Sequence, residues 1–208
     1  MSLAARLSEF VDIHKGEPGL VAASGWSLSD APVEWLRKFE ITFAVNNAYR
    51  YYQQRDLQLP KYLVTIDHSF IQKYPDAEEL YSEEYLWYIP HMEIRSKIEW
   101  MDMDGYLPYQ TGNRLICDGS SSHAALHLAL IAGCDPIFVI GVDLSIRDNQ
   151  VYACGDAHRQ PNEVVQLSLD SMHEGFKKLS ELAGYGRIFD CSLHGKLQCF
   201  PKVEPWTN

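Results

Sequence analysis

The stretch from Cys117 to Leu144 constrains the fold of this chain more than any other. It contains a turn rich in glycine and serine over residues 118–122, a nearly all-apolar stretch that predicts a helix ending before Gly133, and an apolar run over 136–142 that predicts a buried strand. Such a turn, opening a helix that precedes a parallel strand, presents backbone N–H groups, hydroxyls and a helix N-terminus to an anion. The sequence therefore predicts a phosphate site on an α/β sheet. The predicted contacts are Gly119, Ser120, Ser121 and Ser122.

Short apolar runs alternate with amphipathic stretches along the first third of the chain. The predicted strands cover 20–23, 41–45 and 61–66, and the predicted helices cover 33–38 and 47–54. This alternation predicts a mostly parallel sheet with helices on both faces. Because no linker or change of composition divides the 208 residues, we expect one Rossmann-like nucleotide-binding domain over residues 1–208.

The last third of the chain predicts a loop, a helix and a short strand. Residues 145–162 show little periodicity and many turn-forming residues, so we expect a lid loop above the C-terminal edge of the sheet. One long helix is expected over 163–183, with Gly184 directly after it, and a strand over 187–191. The apolar stripe of this helix consists of Val165, Leu169, Met172, Phe176 and Leu179.

Composition narrows the class of ligand. The formal net charge is −10 and the 18 Lys and Arg residues are scattered, which argues against a nucleic-acid partner but allows a small anion in a local pocket. The five cysteines are odd in number and show no CxxC spacing, as is typical of a reducing cytoplasm. No apolar run is long enough to cross a membrane. We therefore expect a soluble, cytoplasmic protein of open oligomeric state.

The ends of the first two strands carry candidate ligand-binding residues. Gly25 and Ser27 follow the first strand, but the GxGxxG fingerprint of dinucleotide-binding proteins is absent. Asn46 and Asn47 stand where such proteins place an acidic residue for the ribose, so NAD is disfavoured. A carboxamide at Asn46 can donate and accept at the edge of a base or a ribose. A tight turn at Gly25 and a helix cap at the asparagines are the alternatives.

Three carboxylates are candidates for holding a cation or a hydroxyl group. Asp67 and Asp143 each end a predicted strand, at the edge of the sheet where such folds bind ligands. Asp118 stands beside the predicted phosphate turn, where it would repel an anion unless a cation lay between them. Capping of the next turn explains Asp67 equally well, and a tie between neighbouring loops explains Asp143.

Three histidines are candidates for different reasons. His158 stands in the expected lid loop, a position typical of a general acid or base, although solvated loop histidines are common. His123 and His127 are four residues apart on the predicted apolar helix, a spacing that a metal site can use. Because no third ligand is evident, we expect no metal at this pair.

The order of the short motifs resembles that of two related groups of enzymes. G-x-S-L follows the first strand, F-x-x-N follows the second, and a serine-led helix runs into I-G-x-D; a loop with a histidine and a late C-S pair come after them. The pattern resembles the bacterial sialyltransferases of glycosyltransferase family 42. It also resembles the Rossmann-like diphosphokinases that act on 6-hydroxymethyl-dihydropterin.

The resemblance to the sialyltransferases implies a transferase with a nucleotide-sugar donor, most like a CMP-sugar, and a small-molecule or glycan acceptor, without a metal cofactor. It implies that Gly25, Ser27 and Asn46 hold the nucleotide, that Ser121 meets the phosphate, that Tyr152 approaches phosphate and sugar, and that His158 is the base.

The resemblance to the diphosphokinases implies a different reaction, the transfer of a diphosphate from ATP with the help of Mg²⁺. Asp67, Asp118 and Asp143 are the carboxylates that would hold the ion. A nucleotide-binding protein without catalytic activity is the third interpretation.

Overall fold

All strands of the sheet run parallel in the computed structural model, which describes residues 3–81, 85–88, 120–154, 162–184 and 186–206. The strands are β1 (Gly19–Ala22), β2 (Ile41–Val45), β3 (Tyr62–Thr65), β4 (Leu86–Tyr88), β5 (Ile137–Ile140) and β6 (Ile188–Asp190). The helices are α1 (Leu3–Phe10), α2 (Val33–Leu36), α3 (Ala48–Gln54), α4 (His68–Lys73), α5 (Asp76–Leu80), α6 (Ser121–Ile131), α7 (Asn162–Ser171) and α8 (His173–Ala183), and a 3₁₀-helix covers Trp26–Asp30. The strand order is β4-β3-β2-β1-β5-β6.

Both faces of the sheet are buried, which is why its strands are apolar runs. Val21 pairs with Phe43 and Val139 on one face, in a cluster that α1, α6 and α8 cover. Leu20 and Ala44 belong to the cluster on the opposite face, which residues of α2, α3 and α5 cover. The structure thus confirms the predicted α/β fold, a parallel sheet with helices on both faces.

The expected long helix over 163–183 is two helices. α7 ends at Ser171, whose hydroxyl donates to the carbonyl oxygen of Ser168 at 2.7 Å. That carbonyl is the acceptor that Met172 would use in a continuous helix, and the Met172 N–H donates to Leu169 O instead. Competition from a serine side chain is a known cause of helix bends. Gly184 follows α8 as expected, at φ +80°.

The predicted strand over 136–142 is also shorter than expected. β5 ends at Ile140 because Gly141 has φ +79°, a left-handed conformation that leaves the extended strand and redirects the chain. None of the helices in the described ranges has the length and apolar character needed to cross a bilayer.

At β1, the side of the sheet on which successive strands are added changes. β2, β3 and β4 lie on one side of β1, and β5 and β6 lie on the other. In open parallel sheets, the loops that leave the strands at such a point diverge and form a crevice at the C-terminal edge. The candidate site lies at this crevice.

Candidate functional site

A cleft of about 350 Å³ opens at the C-terminal ends of β1, β2, β3 and β5. Its walls contain most of the site residues predicted from the sequence, namely Gly25, Asn46, Asp67, Ser120, Ser121, Ser122, Asp143 and Tyr152. They meet because parallel strands place their C-terminal ends at one edge. The predicted residues Gly119, Asp118 and His158 lie outside the described residues.

The N-terminus of α6 faces the cleft. Ser120 precedes the helix in an extended conformation, and its carbonyl oxygen accepts the N–H groups of His123 and Ala124. The N–H groups of Ser121 and Ser122 come before these bonds, in the first turn, where an α-helix supplies no backbone acceptor. Ser121 and Ser122 both line the cleft. The positive end of the α6 dipole is therefore available to an anion there.

Ser121 also fixes the position of that helix end. Its Oγ accepts a hydrogen bond from the N–H of Ile66, just after β3, at 3.1 Å. A hydroxyl that accepts one hydrogen bond keeps its own proton for another acceptor. Ser121 thus joins α6 to the end of β3 and retains a donor.

Gly25 and Gly141 bring two strand-end turns into backbone contact. The Gly25 N–H donates to Gly141 O at 2.9 Å, and a Cβ on Gly25 would lie 2.3 Å from the same oxygen. A Cβ on Gly141 would lie 2.1 Å from the carbonyl oxygen of Ala23. Both contacts exclude any side chain. The glycines of G-x-S-L and I-G-x-D therefore have a packing role, as the tight-turn alternative predicts for Gly25.

Ser27 lies behind the wall of the cleft and does not line it. Its Oγ donates to Ser192 Oγ at 2.9 Å, and the Gly141 N–H is within 3.1 Å of both hydroxyl oxygens. Ser27 is only 2% exposed. The geometry therefore gives Ser27, and Ser192 of the late C-S pair, the role of holding the turns after β1, β5 and β6 together. The nucleotide contact predicted for Ser27 has no support in this position.

Asp143 is a buried carboxylate in the wall of the cleft. Its Oδ2 accepts the N–H of Ser27 at 2.9 Å, which is the loop tie considered from the sequence. Burial raises the pKa of Asp143 to about 6, and the negative charges of Asp190 and Asp30 act in the same direction. The hydrogen bonds from Ser27 oppose this shift. Within the described ranges, no donor reaches the buried Asp143 Oδ1.

Asn46 is the corresponding polar residue at the end of β2. Its φ is +49°, a left-handed conformation that asparagine tolerates better than most residues. Its backbone N–H donates to Val64 O at 3.1 Å, which leaves the side chain at the cleft. The side-chain Oδ1 is buried, and the described part of the chain supplies no donor to it.

Asp67 caps the N-terminus of α4, as the capping alternative predicts, and it also lines the cleft. Its Oδ1 accepts the N–H and the hydroxyl of Ser69, both at 2.8 Å, at the start of α4. The carboxylate is exposed at the rim.

The first part of the expected lid over 145–162 is a fixed wall. The Trp26 indole N–H donates to Ser145 O at 3.0 Å, and the Arg147 guanidinium lies 4.0 Å from the centre of the Trp26 ring. Arg147 also makes two hydrogen bonds to the Asp30 carboxylate, at 2.8 and 2.9 Å. Residues 145–154 are therefore attached to the segment after β1, and the lid interpretation is left to 155–161, outside the described residues.

The apolar part of the cleft wall was not predicted from the sequence. It consists of Val45, Ile66, Val142, Leu144, Val151, Leu169 and Met172. Leu169 and Met172 belong to the apolar stripe of the predicted helix, and this stripe alone does not distinguish a core position from the wall of a cleft.

His123 and His127 are core residues of α6. Both are buried, and burial lowers the pKa of each to about 3, so both imidazoles are neutral near pH 7. The centres of the His123 and Phe176 rings are 5.3 Å apart. In the part of the chain that the structure describes, no three metal-ligating side chains are grouped.

The fold and the cleft together define a Rossmann-like α/β domain. No protein-family model matches this chain, and no curated protein matches it either. Among solved structures, the MAf glycosyltransferase from Magnetospirillum magneticum AMB-1 is similar, with 11% sequence identity and a TM-score of 0.57. The similarity covers 100% of this chain but 39% of that protein, so this chain spans well under half of its length. At this identity, the likeness concerns the fold.

Proposed function

We propose that this chain is a glycosyltransferase-type domain that binds a nucleotide-activated donor, with a CMP-sugar as the donor. The observation that carries the proposal is convergence: Gly25, Asn46, Ser121 and Tyr152, which the resemblance to sialyltransferases assigns to the donor, all line one cleft. The fold shared with a glycosyltransferase supports the same class of reaction.

The N-terminus of α6 is suited to the phosphate of such a donor. When the bond between the sugar and the phosphate oxygen breaks, negative charge grows on the phosphate. The N–H groups of Ser121 and Ser122 and the Ser121 hydroxyl are already held in place, so they stabilise this charge without rearranging. Asn46 would bind the nucleoside, and the apolar side chains of Leu169 and Met172 would exclude water from the reacting centre.

Replacing Asn46 with glycine should weaken CMP binding about tenfold, because it removes one hydrogen-bonding side chain from the cleft. Glycine keeps the left-handed backbone without strain, so the change affects the carboxamide alone. Isothermal titration calorimetry with CMP measures the effect. Gln53→Ala, which removes an exposed carboxamide from α3, is the control and should bind like the parent. If the parent binds none of CMP, CDP, UDP and ATP, with or without Mg²⁺, the proposal is wrong.

His158→Ala should abolish transfer while CMP binding stays unchanged. A general base that takes the proton of the acceptor hydroxyl contributes about 10² to 10⁴ in rate. The comparison is transfer from a CMP-sugar by the parent, by His158→Ala and by His194→Ala, which removes an exposed imidazole. Full activity of His158→Ala would remove His158 from the mechanism.

A Mg²⁺-dependent diphosphokinase is the second candidate, because Asp67 and Asp143 line the same cleft. Both carboxylates already accept backbone N–H groups, which leaves each with one oxygen for a cation. EDTA separates the two functions: it should stop diphosphate transfer from ATP and leave transfer from a CMP-sugar intact. Tight CMP binding without turnover of any donor would instead favour a non-catalytic nucleotide-binding protein.

A further inference from the structure

Asp143 combines burial, a fixed orientation and an unused acceptor. The residue is 3% exposed and lies in the wall of the cleft. Its Oδ2 is held by the Ser27 N–H, so rotation of the carboxylate is restricted. Its Oδ1 is buried and receives no hydrogen bond from the residues described.

A buried carboxylate oxygen without a donor is costly, and native proteins rarely leave one so. Burial also disfavours the charged form of this carboxylate, which raises the pKa of Asp143. A ligand that enters the cleft with an O–H or N–H group directed at Oδ1 would supply the missing hydrogen bond. The Asp143 carboxylate itself therefore indicates what the ligand carries at this point.

The position of Asp143 keeps this O–H or N–H group of the ligand away from the phosphate. The carboxylate lies against Gly25, since a Cβ there would be 2.4 Å from Oδ2, and so it belongs to the end of β1. Ser121 is joined to the end of β3 instead. β1 and β3 are separated by β2, so the two ends are about 10 Å apart across the sheet. A phosphate at Ser121 thus keeps away from the carboxylate, and the other end of the nucleotide approaches it.

We propose that Asp143 accepts a hydrogen bond from an O–H or N–H group of the bound nucleotide and makes the cleft selective for nucleotides that carry this donor. A ribose hydroxyl and the exocyclic amino group of cytosine are the two sources of such a donor in CMP. Asp143 is then a specificity-determining residue. The inference rests on the proposed function, because it requires that a nucleotide binds in the cleft.

Calorimetric titrations with CMP, 2′-deoxy-CMP, 3′-deoxy-CMP and UMP identify the source of the donor. The parent protein should bind CMP at least about tenfold more tightly than one of the three analogues, the one that lacks the group facing Asp143. UMP tests the amino group, and the two deoxy nucleotides test the hydroxyls. Equal affinity for all four ligands would overturn the inference whether or not any variant folds.

Asp143→Asn connects the selectivity to this side chain. Asparagine keeps one oxygen for the Ser27 N–H and replaces the second acceptor with an NH₂ group. The variant should lose the preference for CMP over the discriminated analogue, whereas a purely structural role would weaken all four ligands alike and leave their ratios unchanged. Asp56→Asn is the matched control, an exposed aspartate at φ +51° after α3, and should keep the ratios of the parent.

The outcomes separate the two proposals. Unchanged ratios in Asp143→Asn overturn the role of Asp143 while CMP binding still supports the nucleotide site. If none of the four nucleotides binds the parent, the proposed function fails and this inference fails with it.

Discussion

Gly141→Ala should destabilise the protein by more than about 4 kcal/mol, the range reached by few single substitutions. Two effects add at this position. The φ of +79° is strained for any residue with a Cβ, and the new Cβ would lie 2.1 Å from the carbonyl oxygen of Ala23. Backbone atoms directly after β1 would have to move to relieve the contact. Since a domain is stable by only about 5–15 kcal/mol, the variant should be largely unfolded at 37 °C.

Two further glycines separate the two effects. Gly16 has φ +76° with no atom within 4 Å of its Cβ position, so Gly16→Ala tests backbone strain alone and should cost about 1–2 kcal/mol. Gly25 has φ −66°, which alanine adopts freely, so Gly25→Ala tests close contact without backbone strain, here with Gly141 O and with Asp143 Oδ2. Urea unfolding gives the free energy of each variant. If Gly141→Ala had an unfolding free energy equal to or above that of Gly16→Ala, the close contact between the two turns would be contradicted.

The protein should lose stability in mild acid because of His123 and His127. Their folded pKa values, about 3, lie below the ordinary value of 6.5, mainly because burial disfavours the imidazolium. Below pH 6.5, the two imidazoles therefore bind protons in the unfolded chain but stay neutral in the folded chain. The folded state keeps its full stability above pH 6.5 and loses about 1.4 kcal/mol per histidine for each pH unit below it. Between pH 6.5 and 5, the loss is on the order of 4 kcal/mol.

Two buried carboxylates, Asp143 and Asp190, work against this loss of stability as the pH falls. The folded pKa of Asp143, about 6, lies above its ordinary value of 3.8, so the folded state gains stability as pH falls from 6 toward 3.8. Burial raises the pKa of Asp190 as well, although its hydrogen bond with Lys202 opposes the shift. Between pH 6 and 5, Asp143 offsets the effect of about one histidine.

Urea unfolding at pH 7, 6 and 5 measures the balance. The double variant His123→Gln with His127→Gln removes both buried imidazoles and should flatten the decrease in unfolding free energy. His194→Gln, which removes an exposed imidazole, should follow the parent. If the double variant lost as much unfolding free energy from pH 7 to pH 5 as the parent, the buried, neutral state of the two histidines would be contradicted.

The sequence predicted the fold because the strands of a parallel sheet are buried on both faces and read as apolar runs. The runs around Val21, Phe43 and Val139 became neighbouring strands. The convergence of Asn46 and Asp143 on one cleft was predictable for the same reason, since parallel strands end at one edge. These features depend on periodicity alone.

The remaining features depend on contacts between distant parts of the chain. Gly25 looked like a residue of a ligand-binding turn, and the structure shows that it meets Gly141 O. A sequence cannot distinguish a glycine that approaches a ligand from one that approaches backbone. Ser27 has the same ambiguity, because its partner Ser192 is far along the chain. The break at Ser171 was not predictable, because the apolar stripe of the sequence continues across it.

The placement of α6 and Asp143 gives the cleft an electrical polarity. The helix N-terminus directs positive partial charge into the end near Ser121, where the Asp67 carboxylate at the rim is exposed to solvent and therefore screened. The buried Asp143 carboxylate makes the end near Gly25 negative when it is ionised. An elongated ligand with one anionic end therefore fits in a single direction, because the reversed pose would press its charge against a buried carboxylate. The sheet edge thus determines the direction in which a ligand lies as well as the place where it binds.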